Sequence, residues 1–269
     1  MTPGMTDVLV ETDGPVMTVT LNRPHRRNAV TPETAAVLHA AFLAFEDSEA
    51  AVAVLTGAGG AFCAGFDLKE AGAVGDDWRA RHAVETPEDL TDAALAPMGP
   101  TRLRLTKPVI AAVEGPAVAG GMELALWCDL RVMAADAYFG VFCRRWGVPL
   151  IDGGAIRLPR IVGQGRALDL ILTGRRVDAD EALAIGLADR ITAPGGALAR
   201  AKALAAEIAR FPRACLRADR GVALDQWSLD RPEAFAREWR SAEAFDAEGR
   251  EGAARFAEGR GRGGDFTDI

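Results

Sequence analysis

Between Val109 and Leu130 the chain reads VIAAVEGPAVAGGMELALWCDL, and no other stretch restricts the fold as much. The run Val109-Ile110-Ala111-Ala112-Val113 has the length and β-branching of a buried strand, and the Gly115-Pro116 pair predicts its end. Ala117, Val118, Ala119, Gly120 and Gly121 follow, almost without side chains, and lead into Met122-Glu123-Leu124-Ala125-Leu126-Trp127-Cys128. The pattern predicts a strand, a turn of small residues, and a helix that starts at the glycine pair. A first helical turn presents amides with no intrahelical partner and the positive end of the macrodipole. Glycine there lets a ligand approach those amides closely. The functional reading is an anion or oxyanion cradle with the Glu123 carboxylate one turn further in. The structural reading is tight packing of helix on sheet, with Glu123 as a favourable first-turn acid.

At 269 residues the chain suffices for one large domain, or one domain with an appendage. Its net charge of -7 argues against a nucleic-acid binder, which would concentrate Lys and Arg against phosphates. No apolar run approaches the roughly 18–20 residues needed to span a bilayer. The stretch MTPGMTDVLVETDG lacks the basic start and apolar core of a signal peptide, so a cytoplasmic protein is expected. Cys63, Cys128, Cys143 and Cys215 are far apart without a C-x-x-C, the histidines are His25, His39 and His82, and there is no H-E-x-x-H. No metal site is expected.

Along the chain, Val8–Glu11 and Val16–Leu21 predict a hairpin around Asp13-Gly14-Pro15. Asn22 to Ala29 is a loop with three arginines, which suits either solvent or a phosphate. Thr31, Pro32 and Glu33 form a helix start, with the helix reaching about Asp47. A strand over Val52–Thr56 ends in Gly57-Ala58-Gly59-Gly60. That cluster is no dinucleotide fingerprint, because position 62 is Phe, and no G-x-x-x-x-G-K-[ST] occurs. Ala61 to Glu70 predicts a second strand-to-helix turn with a second set of open amides. Ala71 to Pro100 is expected as a variable pocket wall with a short helix near Pro87–Ala94. Beyond the central stretch, strands are expected over Leu130–Ala134, Tyr138–Gly140 and Ala188–Ile191, and helices over Gly154–Ile161, Arg166–Leu172 and from Asp178 to Gly186. Cys143 to Gly154 reads as a loop. From Gly195 onward the pattern is helical, with Leu198, Ala201, Leu204, Ala205 and Ile208 on one face of a helix over Ala197–Phe211. This arrangement implies a layered α/β core over 1–195 and a helical appendage over 196–269.

The pieces, in their order, resemble the crotonase (enoyl-CoA hydratase/isomerase) superfamily over nearly the whole chain. They are Leu21-Asn22-Arg23-Pro24 with Asn28-Ala29, Ala64-Gly65-Phe66-Asp67, Lys107 to Val113, Gly120-Gly121-Met122-Glu123, Cys128-Asp129, Leu172-Thr173-Gly174, and Glu251-Gly252 to Phe256. The resemblance implies an α/β spiral of ββα units with a C-terminal helical trimerisation region, assembled as a homotrimer or a hexamer of two trimers. It implies an acyl-CoA thioester as ligand, with coenzyme A arriving as part of the substrate and no permanently bound cofactor. Carried over, the oxyanion hole falls on the backbone amides of Phe66 and Gly120. Two such donors stabilise a thioester enolate, and losing one costs on the order of 2.7–4 kcal/mol of barrier. The substrate site then draws on Arg23 and Arg26, on Ala64, Gly65, Phe66, Asp67, Leu68 and Lys69, on Gly121, Cys143 and Trp146, and on Arg260. The amides of Ala64 and Phe66 would hold the CoA portion, with Lys69 and Arg260 as phosphate partners. Asp67 and Asp129 also read as acids that fix turns.

Glu123 matches one of two catalytic glutamates of the hydratases, and the other falls on Cys143. A thiol with a reference pKa of about 8.5 is a poor replacement for a carboxyl group. Asp152 lies where some members carry an extra aspartate, and it reads equally as a loop and helix-cap residue. An isomerase that shifts a double bond through the single carboxylate of Glu123 is the leading expectation. Hydration by Glu123 with Asp152 is the alternative, followed by thioester hydrolysis or decarboxylation, and a catalytically silent acyl-CoA binder is the non-enzymatic one.

Overall fold

The computed structural model describes residues 6–74, 93–264 and 266. The hairpin is β1 (Val8–Asp13) antiparallel to β2 (Val16–Leu21), turning at Gly14, whose φ of +53° suits glycine. Next comes α1 (Pro32–Asp47), capped where Thr31 accepts the Thr34 N–H at 3.2 Å, with Pro32 at the first helical position. β3 (Val52–Gly57), α2 (Leu68–Val74), β4 (Val109–Val113), β5 (Pro116–Val118) and α3 (Gly120–Trp127) follow. Then come β6 (Leu130–Ala134), β7 (Tyr138–Gly140), α4 (Gly154–Val162), α5 (Gln164–Thr173), β8 (Arg176–Asp178), α6 (Ala179–Ala184), β9 (Arg190–Thr192) and α7 (Ala197–Ile208).

Two sheets result. One runs β1-β2-β3-β4-β6-β9, parallel from β2 onward, and the other runs β5-β7-β8. Parallel neighbours require crossovers, and covered parallel strands read as unbroken apolar runs. β3 and β4 have that composition, and Val52–Thr56 and all of β4 are buried. β1, with one buried residue in six, is the exposed edge. The buried core includes Leu38, Phe42 and Phe45 of α1 together with Leu21, Leu55, Ile110, Leu124 and Met133. Trp127 at the end of α3 meets Phe42 edge-on at 4.8 Å and donates its Nε1–H to the Leu103 carbonyl at 2.9 Å, which anchors α3 to that core.

Three expectations change. Pro116 does not merely end the buried run: Pro116–Val118 pairs with Tyr138–Gly140 as β5, where a proline at the first strand position loses no needed donor. The expected loop after Cys143 begins with a 3-10 helix over Phe142–Trp146. Arg176–Asp178 is a strand no pattern announced. The expected helix near Pro87–Ala94 lies outside the described residues up to position 92, and Ala93 and Ala94 are not helical. No helix among the described residues is long and apolar enough to cross a membrane.

The chain divides into compact units at Met1–Ala205 and Ala206–Ile269, a boundary inside α7. The second unit carries α8 (Arg213–Asp225), α9 (Arg231–Trp239) and α10 (Arg250–Ala257). α9 starts with a reciprocal capping box, in which Asp230 accepts the Glu233 N–H at 2.9 Å and Glu233 accepts the Asp230 N–H at 3.3 Å. Within the chain by itself these three helices bury no side chain completely.

Candidate active site

Both turns singled out in the sequence border one cavity of about 410 Å³ in the first unit. The first turn is built around Asn28, fully buried with φ of +57°. Its side-chain N–H groups donate to the Ala58 and Ala61 carbonyls at 2.9 and 2.7 Å, and its Oδ1 accepts the Arg23 N–H at 2.9 Å. The Asn22-to-Ala29 loop is thereby stitched to the glycine cluster after β3. On the facing segment the Val30 N–H donates to Gly65 O at 2.8 Å, and the Asp67 N–H donates to Val30 O at 2.9 Å. Peptide groups of an extended segment alternate sides, so the Phe66 N–H is directed away from Val30. Phe66 lines the cavity.

The second turn is the start of α3. Ala119, its N-cap, has φ of +54°, sparsely populated for a residue with a Cβ, so the surrounding structure must hold it. Gly120 precedes the first intrahelical hydrogen bond, and its N–H is a first-turn donor. A Cβ on Gly65, whose φ is +91°, would lie 2.9 Å from the Gly120 nitrogen. A Cβ on Gly121 would lie 2.1 Å from the Cys63 carbonyl oxygen. The small residues therefore do two things together: they let the turns pack directly on one another, and they bring the Phe66 and Gly120 segments to one cavity wall.

Glu123, one turn into α3 and only 3% exposed, lines the same cavity. Its Oε1 accepts the backbone N–H groups of Asp152 at 2.9 Å and Gly154 at 2.8 Å, while Oε2 has no partner among the described residues. Burial raises its pKa from an ordinary 4.5 to about 8, the neighbouring Asp152 adds to the rise, and the two amides and Arg157 oppose it. Gly154 must be glycine for this contact, since a Cβ there would lie 2.8 Å from Glu123 Cγ.

Asp152 is also buried on the cavity wall, and its carboxyl does not cap α4. Oδ1 accepts the Met98 N–H at 3.0 Å and the Thr101 hydroxyl at 2.5 Å, and Oδ2 has no partner among the described residues. Burial raises its pKa too, against the lowering effect of the Thr101 and Met98 bonds. Cys143 lines the cavity as a neutral thiol, its pKa raised by burial and by the charge of Glu123.

The structure thus brings together Glu123, Asp152, Phe66, Gly120, Ala64, Leu68, Cys143 and Trp146 on one wall system. Gly65 and Gly121 make the close packing behind it. The Ala64 amide is engaged, donating to Arg27 O at 2.9 Å, which leaves its carbonyl and methyl for a ligand. Arg23 does not line the cavity. It donates to the Ala29 carbonyl and pairs with Asp7 and Asp67, each at 3.3 Å. Asp67 accepts the Lys69 N–H at 3.2 Å and so fixes the start of α2. Arg26 and Lys69 are exposed and off the lining, and Arg260 lies in the second unit, 3.8 Å from Glu258. Arg27, Pro97, Met98, Phe142 and Arg145 also line the cavity, with the Arg145 guanidinium 4.6 Å from the Phe142 ring centre. The Arg27 loop was visible in the sequence. Thr101 and Arg157 were not, because neither belongs to a spaced motif and Arg157 acts on backbone carbonyls.

A family model described as enoyl-CoA hydratase/isomerase matches residues 11–266. A protein of Mycobacterium tuberculosis named enoyl-CoA hydratase is 40% identical over 208 residues, 74% of this chain and 73% of its own length. A probable enoyl-CoA hydratase of Mycobacterium bovis is 37% identical over 238 residues, 86% of this chain and 90% of its own. Among solved structures, an enoyl-CoA hydratase from Mycobacterium marinum superposes with a TM-score of 0.85 at 34% identity, covering 95% of this chain and 97% of that one. One from Bacillus anthracis gives 0.84 at 30% identity, covering 95% and 97%. The first-unit sheets with their crossover helices, followed by helices alone, are therefore the crotonase fold, and the chain belongs to the enoyl-CoA hydratase/isomerase family.

Proposed function

We propose that the cavity takes an acyl-CoA thioester and that Glu123 carries a proton between two carbons of its acyl group. The carboxylate removes a proton from C2 of a 3-enoyl thioester, and the electron pair moves into the thioester carbonyl to form a dienolate. The amides of Phe66 and Gly120 receive the developing oxyanion, and preorganised donors of this kind commonly lower the barrier more than any other feature of a site. The same carboxyl group returns the proton at C4, and the product is the conjugated 2-enoyl ester. The observation that carries this reading is the posture of Glu123. One oxygen is pinned by two amides, the other is unpartnered among the described residues, and the side chain shares a wall with both turns. A pKa near 8 suits a group that must both take and give a proton close to neutral pH.

A second reading has its own support. Asp152 also has an oxygen without a partner among the described residues and lines that cavity, and hydration needs two groups, one to activate water and one to deliver the α-proton. Cys143, held neutral, is unsuited to activating water. The exposed Trp227, Phe235, Trp239 and Phe256 of the second unit support assembly as a homotrimer or a pair of trimers.

Replacing Glu123 with Gln tests the enzymatic reading. Turnover of enoyl-CoA esters is expected to fall by about 10²–10⁴-fold, while binding of the same esters, measured by calorimetry, stays within a few-fold. Unchanged turnover would remove Glu123 from the mechanism, and absence of binding in the unsubstituted protein would remove the acyl-CoA ligand.

A further inference from the structure

We infer that Arg157 is a positioning residue for the acid pair: its guanidinium bridges the two turns that hold Glu123 and Asp152, fixing the pose of both carboxyls and the charge that Glu123 faces. This rests on the proton-carrying role of Glu123. Arg157 stands on α4, partly buried and off the cavity lining, so it reaches the site only through other groups. Nη1 donates to the Asp152 carbonyl at 2.9 Å, and Nη2 donates to the Thr101 carbonyl at 2.6 Å. The first carbonyl belongs to the turn whose amides, at Asp152 and Gly154, hold Glu123 Oε1. The second belongs to the segment whose Met98 N–H and Thr101 hydroxyl hold Asp152 Oδ1. One planar, permanently charged fork therefore fastens both supports, a geometry a lysine ammonium cannot reproduce. Room for it comes from Gly153, with φ of +89°, since a Cβ there would lie 2.2 Å from Nη1.

The charge matters as well. The ionisable groups that act on Glu123 or face its neighbours are Asp152, Arg157 and Cys143, with Arg102 acting on Asp152, and Arg160 and Cys128 acting on Arg157. Arg157 is the cation in this set that favours the ionised form of both acids. Without it, two buried carboxyls confront each other and Glu123 holds its proton to higher pH.

The test is a pH titration of the protonated-carboxyl stretch by infrared difference spectroscopy, assigned to Glu123 by its loss in Glu123→Gln, on the full chain and on Arg157→Gln and Arg157→Lys. α-Proton exchange of acyl-CoA esters is measured on the same proteins. Arg157→Gln should raise the Glu123 midpoint by about one unit and lower kcat for exchange by about tenfold with little change in KM. Arg157→Lys, which keeps the charge but loses the fork, should give a smaller rise and still lose kcat. An unchanged or lowered midpoint in whichever variant folds, with only thermal stability reduced, overturns the inference. If the unsubstituted protein exchanges nothing while the midpoint still rises in the variants, the enolate reading falls and the Arg157 bridge stands.

Discussion

Glu123 is held against its ordinary chemistry. A carboxyl group that would ionise near 4.5 in the unfolded chain keeps its proton to about 8 in the folded one, chiefly because its charge would be desolvated and then because it would face Asp152. Between those two values the folded state binds more protons than the unfolded state, so stability must fall as pH rises through that window and remain lower above it. Asp152, shifted upward by burial, acts in the same direction. Urea denaturation at intervals from pH 5 to pH 9 should show that decline, and Glu123→Gln, which cannot ionise but still offers an oxygen to the Asp152 and Gly154 amides, should flatten it. An equally steep decline in the variant would place the cause elsewhere. The same residue was legible in the sequence as the lone acid of an apolar helix behind a glycine pair. Asp152 was legible only through the resemblance, and Thr101 and Arg157 not at all. Thr101 sits in a stretch without period, and the contacts of Arg157 end on peptide carbonyls, which any residue supplies.

At the scale of elements, the strand-to-helix turns carry the architecture of the site. Where an apolar run is bounded by glycine or proline, sequence and structure agree to the residue, as for Val16–Leu21 and Val109–Val113, and they agree likewise for Leu130–Ala134, which lies between Asp129 and Asp136. The three-residue strands β5 and β8 are too short to show a period of two, and they are fixed instead by pairing with β7. The small residues before α3 were read either as giving a ligand access or as packing the helix tightly on the sheet. They also give the two turns access to each other, a tertiary requirement that composition alone does not separate from the first. Gly121→Ala should therefore cost about 1–3 kcal/mol in urea unfolding, as overpacking against backbone does, because the Cys63 carbonyl oxygen 2.1 Å from the new Cβ cannot rotate away. Gly72→Ala in α2, with nothing among the described residues within 4 Å of the added Cβ, is the control and should be neutral or slightly stabilising. Equal behaviour of the two variants would contradict the packing argument.

Taken as a whole molecule, the chain separates its tasks. The first unit holds the parallel sheet, both turns and the acid pair, and the second is a set of amphipathic helices with large apolar side chains outward, Trp239 being 82% exposed in the chain by itself. Family membership follows from nearly the entire length, whereas the proposed reaction would rest on a few atoms in the first unit: two amides, one carboxyl pinned by two hydrogen bonds, and a second acid whose involvement would separate isomerisation from hydration. The most direct measurement is mass spectrometry of 2-enoyl- and 3-enoyl-CoA esters incubated with the protein in heavy water. Deuterium incorporated into the acyl group, with the double bond moved and no water added, is the result predicted for a single carboxyl that carries the proton. Addition of one water would assign the second role to Asp152 and make the protein a hydratase, and binding with neither exchange nor addition would contradict enolate chemistry at this site.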